Sequence, residues 1–290
     1  TAEGIAQGDI VGLALPDSVE HVALLWSLAW IGAVIFPINA PLLQSENEVG
    51  LGAHQLKAVI VEKAALIVEK AALAQVSGIT AISLEQVFAG APQAQLPAAA
   101  GGGREPLYCL QSSGTTGKPK NFMMTHNKVI ASFRSDQESL RWTVQDRYVA
   151  LIPPGFSTGC RLCFAALYSG AAVIISRAKL VEELVQLVRE KRVTVTSMTP
   201  LHIRSLLEYG AGKEPIFPSL RSLRVSTGAI TARERDLARR HVTPNIIIVY
   251  GCNEQSWISF APPADQDAEP DSAGRLIAGL EAEIVDEDHQ

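Results

Sequence analysis

The chain has 290 residues, 47% hydrophobic and 19% charged, an ordinary globular composition with apolar material for a large core and length enough for two subdomains. Its 25 Lys and Arg against 30 Asp and Glu leave a net charge of −5, which offers no electrostatic footprint for nucleic acid or an anionic membrane surface and favours small-molecule chemistry. The four cysteines, Cys109, Cys160, Cys163 and Cys252, are too few and too scattered to staple such a chain and read as reduced thiols of a cytoplasmic protein.

In chain order, residues 9–15 form a short apolar run ended by Pro16-Asp17-Ser18, a strand followed by a helix N-cap, and residues 19–30 carry apolar side chains at helical spacing. Residues 33–38 read as a second strand. The run 22–36 is the most apolar, but Pro37 ends it short of the roughly 20 residues of a bilayer span, so it is read as a buried helix entering a strand. No charged segment followed by an apolar core opens the chain, so nothing signals secretion. The chain begins at Thr1 rather than Met, just before a strand, and we expect something to precede it.

Ser45-Glu46-Asn47-Glu48 is a capping-box pattern for a further helix, and 58–61 is β-rich. This alternation argues for parallel α/β units. The near-repeat of Val61-Glu-Lys-Ala-Ala-Leu66 at 68–73 is too short for a solenoid or coiled coil and carries no function. Residues 89–106, rich in Ala, Pro, Gln and Gly, read as a linker. Strands are expected at 107–111, 148–152, 171–176, 193–196, 222–226 and 245–249, helices at 180–191, 200–209 and 232–240, and an antiparallel strand from Gly274-Arg275 to Val285. Cys160 and Cys163 have CxxC spacing, but a zinc site would want a second ligand pair, and His202 and His241 stand alone; they read as core or surface thiols.

Between the strand at 107–111 and His126 lies QSSGTTGKPKNFMMT. Gly114 and Gly117 let the backbone approach an anion closely, the hydroxyls of Ser112, Ser113, Thr115 and Thr116 can donate to it, and Lys118 or Lys120 can neutralise it. It is not a P-loop: its glycines are separated by two residues rather than four, and Pro119 follows Lys118 where that motif needs Ser or Thr. No dinucleotide fingerprint is present. The plain alternative is a Gly/Ser/Thr-rich hairpin turn.

SSGTTGKPK followed by Met124-Thr125-His126 resembles the phosphate-binding signature of the adenylate-forming superfamily, which includes acyl-CoA synthetases, luciferases and the adenylation domains of peptide synthetases. Tyr250-Gly251-Cys252-Asn253-Glu254 resembles that family's Tyr-Gly-x-Thr-Glu, and Ser226-Thr227-Gly228-Ala229 its Gly-Gly-Ala element. Gly274-Arg275 with Gly279, and the opening strand-helix-strand from Gly8 to Asn39, also fit, so the resemblance covers nearly the whole chain. It implies two stacked α/β subdomains with mostly parallel sheets and the start of a small β-barrel: 1–130 with the phosphate loop, 131–270 with the adenine and acyl site, and 271–290 opening the barrel.

It further implies ATP-dependent activation of a carboxylic acid to an acyl-adenylate, then transfer to CoA or to the phosphopantetheine of a carrier protein, with Mg²⁺ as the metal. Catalytic roles fall by resemblance on Thr116, Lys120 and Glu254, with Thr116 near the metal and Glu254 binding it as a suitable hard oxygen ligand. Nucleotide contacts fall on Ser112, Ser113, Gly114, Thr115, Thr116, Gly117, Lys118, Lys120, Gly228, Ala229, Tyr250, Gly251, Cys252 and Asn253. The acyl pocket falls on Phe156, Ser157, Gly159, Met198, Thr199, His202, Ser226 and Cys252. Asn253 stands where the family has a Thr facing the α-phosphate, and Asn121 where it has Gly; both bear on efficiency. No Asp aligns where amino-acid-activating relatives hold the substrate amine, so a plain carboxylic acid is expected. The family's ribose-binding Asp, the Arg beyond it and the C-terminal lid with its Lys would lie past Gln290. A homodimer is a further expectation, and neither a membrane span nor a nucleic-acid partner is expected. Two other readings remain: a non-catalytic nucleotide- or acyl-binding domain derived from such enzymes, and an unrelated α/β phosphotransferase that would make ADP rather than AMP.

Overall fold

In a computed structural model, residues 4–38, 55–62, 79–89, 98–100, 102–112, 120–210 and 215–286 are described. The helix expected after Ser45, the near-repeat beyond Glu62 and most of the linker lie outside them. The chain divides into two compact units, 1–131 with 152–165, and 132–151 with 166–290.

The first unit holds a six-stranded sheet of β1 (Ile10–Ala14), β2 (Val34–Pro37), β3 (Ala58–Val61), β4 (Thr80–Ser83), β5 (Pro106–Ser112) and β6 (Lys120–Thr125), in the order β4-β3-β1-β2-β5-β6. All neighbours run parallel except β5 and β6. Helix α1 (Val19–Trp30) follows β1 because Ser18, in extended backbone, accepts a hydrogen bond from His21 N at 3.0 Å and so caps it. The run from Val22 to Phe36 is this helix entering β2, as its pattern predicts. β4 runs into the short helix α2 (Leu84–Phe88), capped reciprocally by Ser83 and Gln86. Val34, Phe36, Val59, Val61 and Cys109 pack into one buried cluster on this sheet.

The second unit holds a seven-stranded sheet of β7 (Arg147–Ala150), β8 (Ala172–Ile175), β9 (Val195–Met198), β10 (Ser222–Val225), β11 (Ile246–Cys252), β12 (Ser256–Ala261) and β13 (Arg275–Leu276), ordered β13-β12-β11-β10-β9-β7-β8. β7 to β11 pair parallel; β12 and β13 add antiparallel at one edge. The helices are α3 (His126–Leu140), α4 (Ser157–Tyr168), α5 (Val181–Glu190), α6 (Pro200–Tyr209), α7 (Ala232–His241) and α8 (Pro263–Ala268), with the boundary between units falling inside α3 and α4. Leu184, Val188, Met198, Ile203, Leu206, Leu223, Val225, Ala238 and Ile246 form the main core, the apolar stripes of α5, α6 and α7 on one face of the sheet. The strand expected from Gly274 to Val285 is limited to Arg275–Leu276; Ile277 is still buried, but residues 281–286, with Glu281, Glu283, Asp286 and a fully exposed Ile284, have no buried face. Among the described residues no closed barrel is present.

Beneath the β7 end lies a polar anchor. Asp146, 2% exposed, accepts from Thr143 N at 2.8 Å, Thr194 Oγ1 at 2.7 Å and Arg221 Nε at 2.7 Å, while Arg221 also donates to Leu140 O at 2.8 Å. Burial alone would raise this carboxyl's pKa, but the hydrogen bonds from Arg221, Thr194 and Thr143 outweigh it and hold it below its ordinary value.

Candidate functional site

Three adjacent parallel strands, β9, β10 and β11, end at the same side of the second sheet, the position where open α/β sheets bind ligands. The pairing of β9 with β10 continues one step past the strand, Ser226 N donating to Met198 O at 3.2 Å. Thr199 then caps α6, and here the capping partner is a histidine. His202 Nδ1 accepts from Thr199 N at 3.2 Å and lies 2.9 Å from Thr199 Oγ1. A ring nitrogen that accepts a backbone N–H carries no proton, so this places the ring proton on Nε2. Burial lowers the His202 pKa below its ordinary value, so the ring is neutral at pH 7.

β10 leads into Ser226-Thr227-Gly228-Ala229. Thr227 has φ of 70°, a left-handed conformation that a β-branched residue rarely adopts, and its Oγ1 donates to Ser226 O at 2.5 Å. Ser226 is buried while Thr227, Gly228 and Ala229 are exposed. The Pro200 ring lies against Gly228: a Cβ there would meet Pro200 Cγ at 3.5 Å, ordinary contact.

β11 continues to Tyr250, 58% exposed, and Gly251, where the ladder with β12 shifts by a bulge. A Cβ on Gly251 would lie 2.1 Å from Ser256 O and 3.0 Å from Trp257 Cε3, so only glycine admits this approach of β12. Cys252, the last residue of β11, and Glu254, in the turn that follows, are exposed, with Gln255 N donating to Cys252 Sγ at 3.4 Å. The exposed Glu254 carboxylate is a hard oxygen donor of the kind a Mg²⁺ ion takes.

In the first unit, β5 and β6 pair from Tyr108↔Met124 to Ser112↔Lys120, so residues 113–119 bridge an antiparallel pair. A hairpin turn needs 2–5 connecting residues; the chain places seven, 113–119, between these strand ends. Ser113, Gly114, Thr115, Thr116, Gly117 and Lys118 lie outside the described residues, and Ser112 and Lys120 are placed by backbone only. Phe156, exposed, and Ser157 open α4. A Cβ on Gly159 would fall 2.1 Å from Pro153 O, so the approach of this helix to the preceding loop is reason enough for that glycine. Cys160 and Cys163 are buried in α4, the former donating to the Tyr108 hydroxyl at 3.2 Å, and burial pushes Cys160 up to about 12. No group of three metal-ligating side chains occurs among the described residues.

The strand ends thus bring together Met198, His202, Ser226, Gly228, Ala229, Tyr250 and Gly251. Met198 is fully buried in the core cluster, beneath this edge. Pro200 and Trp257 were not marked by the sequence. Trp257 follows Glu254 by three residues, a spacing that hints at it only once the hairpin is known.

This is the architecture of an α/β ligand-binding protein that uses the carboxyl ends of parallel strands. The chain belongs to the AMP-binding enzyme family, whose model matches residues 1–290. It is 36% identical over 160 residues to the long-chain-fatty-acid–CoA ligase FadD13 of Mycobacterium tuberculosis, covering 53% of this chain and 32% of the ligase. With syringomycin synthase SyrB1 of Pseudomonas syringae pv. syringae it shares 27% identity over 98% of this chain and 47% of that protein. Its fold matches o-succinylbenzoate coenzyme A synthetase (MenE) of Bacillus subtilis, solved in complex with ATP and magnesium ion, at a TM-score of 0.88 and 21% identity over 100% of this chain and 59% of that one. The chain therefore spans about a third to three-fifths of the length of these proteins.

Proposed function

We propose that this chain is the nucleotide- and acid-binding body of an AMP-forming ligase. In the complete reaction, a carboxylate oxygen of the acid bonds to the α-phosphorus of ATP, the α–β phosphoanhydride bond breaks, and pyrophosphate leaves, giving an acyl-adenylate. A thiol, of CoA or of carrier-protein phosphopantetheine, then takes the acyl group and releases AMP. The observation that carries this reading is the placement of Tyr250 to Glu254 next to Ser226 to Ala229 at the ends of β10 and β11, in a chain of the AMP-binding family.

On this reading Gly228, Ala229 and Tyr250 flank the adenine, Gly251, Cys252 and Asn253 face the phosphates, and Ser112 to Lys120 wrap the β- and γ-phosphates. Glu254 and Thr116 would hold Mg²⁺, which supplies charge neutralisation for two anions that must meet. Asn253 can donate through its amide where a hydroxyl would otherwise act. His202 and Ser226, with Phe156, Ser157 and Gly159, face the acid. His202 is a hydrogen-bond donor to the substrate and not a base, since its Nδ1 is occupied by the helix cap. The substrate is a plain carboxylic acid, and the protein works in the cytoplasm, which four free cysteines support. No helix among the described residues is long and apolar enough to cross a membrane.

The nucleotide products of ATP turnover by the complete protein, with a panel of aliphatic and aromatic acids, test this. AMP and pyrophosphate are expected. ADP and phosphate would mean a phosphotransferase, and no turnover with retained ATP binding would mean a binding domain.

A further inference from the structure

Strand β10 is a central strand of a parallel sheet, where near-continuous apolar sequence is the rule. It reads Ser222-Leu-Arg-Val225, and its polar side is not exposed: Ser222, Arg224 and the following Ser226 are all buried on the face opposite the main core. Arg224 is fully buried. Its Nη1 donates to Asp136 Oδ1 at 2.8 Å, and Asp136, on α3, is fully buried too. The same Oδ1 accepts the indole N–H of Trp257, on β12, at 2.6 Å, and the Arg224 guanidinium lies 4.2 Å over the Trp257 ring. One carboxylate oxygen therefore joins residues 88 and 121 positions away.

What it joins is specific. The ladder between β10 and β11 ends at Val225↔Ile248. Beyond that pair, residues 226–229 leave β10 while β11 runs on to its hairpin with β12. Trp257 stands opposite Gly251 in that hairpin, with its ring against the glycine. Arg224 lies two residues before Ser226. Stability alone does not call for an ion pair here, because replacing a buried pair with apolar side chains of similar volume is often neutral or favourable. An ion pair with a shared acceptor does something an apolar trio does not: it fixes direction and register.

We propose that Asp136 is a positioning residue that clamps the segment 226–229 and the hairpin 250–256 at one fixed separation, through Arg224 on one side and Trp257 on the other. The consequence for ATP rests on the proposed function; the clamp itself does not. Hydrogen exchange read by mass spectrometry on the whole chain tests it. The double variant Asp136→Leu/Arg224→Met removes both charges together and keeps an apolar filling. Trp257→Phe keeps the ring and removes only the N–H, and guards against a double variant that fails to fold. In both, exchange is expected to rise about tenfold in 226–229 and in 250–256 alike, with α5 unchanged, and the ATP dissociation constant to rise by a similar factor. Asp136→Asn, which retains an acceptor oxygen, is expected to restore part of the protection. Exchange that rises in only one of the two segments, or in neither, overturns the clamp. Coupled exchange in a protein that fails to bind ATP upholds the clamp and removes the ligase reading instead.

Discussion

Two glycines of the candidate site make opposite demands, and their alanine variants separate them. At Gly251 an added Cβ lies 2.1 Å from Ser256 O, about 0.9 Å inside the 3.0 Å that real Cβ contacts respect, and the clashing atom is backbone. Relief requires β12 to move by about 1 Å against β11, in the hairpin that carries Glu254 and Trp257. Forced overpacking of this kind costs about 1–3 kcal/mol, and a 1 Å misplacement of reacting groups costs on the order of 100-fold in rate. At Gly228 the nearest atoms, Pro200 Cγ and Cδ, stand at 3.5 and 3.6 Å, so alanine fits with a change within about 0.5 kcal/mol. Thermal unfolding and acid-dependent ATP turnover, measured side by side, read both effects. Gly251→Ala should unfold several degrees lower and lose about two orders of magnitude in rate, whereas Gly228→Ala should unfold within about 2 °C of the parent. A Gly251→Ala protein with parental stability and rate would refute the steric reasoning.

Thr227→Gly should stabilise the fold by about 1 kcal/mol in urea titration, since it removes a β-branched residue from a left-handed backbone. His21, buried in α1, has its pKa pushed down to about 4 by burial, against the opposing carbonyls of Pro16 and Leu15. Its neutral form is the folded one, so the related stability is full above pH 6.5 and is lost as pH falls toward 4, by about 3 kcal/mol. An NMR titration that finds the His21 ring protonating near its ordinary value would remove this slope. Asp146 acts lower on the scale: its depressed carboxyl contributes stability above pH 3.8, lost as pH falls through the folded value, and Asp146→Asn should flatten the acid limb of the urea midpoint below that pH. Among the thiols, burial pushes Cys109 up to about 11 and Cys160 up to about 12 and raises Cys163 further, while Cys252 is exposed. A disulfide reagent at pH 8 should modify one thiol of the native chain and four in denaturant; a second fast thiol would contradict the buried reading of Cys160 and Cys163.

Helices and strands with strong periodicity were legible. The helix at 19–30 and the helix at 200–209 stand where their caps, Ser18 and Thr199, put them. Seven elements escaped: β4, α2, β6, α3, α4, β12 and α8. β6 was hidden because Lys120 to Thr125 read as the tail of a phosphate motif and not as a partner of β5. α3 has too polar a face for apolar spacing to show, and β12 begins directly after the turn 253–255 with Ser256 itself at a φ of 71°. The site divided in the same way. Tyr250 to Glu254 and Ser226 to Ala229 were marked by residue type and order alone. The alternation Ser-Leu-Arg-Val-Ser, by contrast, looks from sequence like a half-exposed strand. Only the folded chain brings Asp136 and Trp257 to Arg224 and makes that polar side an interior one. His202 reads from sequence as an acid-pocket residue, but which ring nitrogen holds its proton follows from Thr199, which donates its backbone N–H to Nδ1.

The proposed function has this chain, within the complete protein, support attack of a carboxylate on the α-phosphate of ATP. Exchange of labelled pyrophosphate into ATP reads that step directly. In the complete protein, exchange is expected only when a carboxylic acid is added, and to fall at least 100-fold in Glu254→Gln with its fold intact. Exchange equal in the two proteins, or exchange indifferent to the acid, would contradict it.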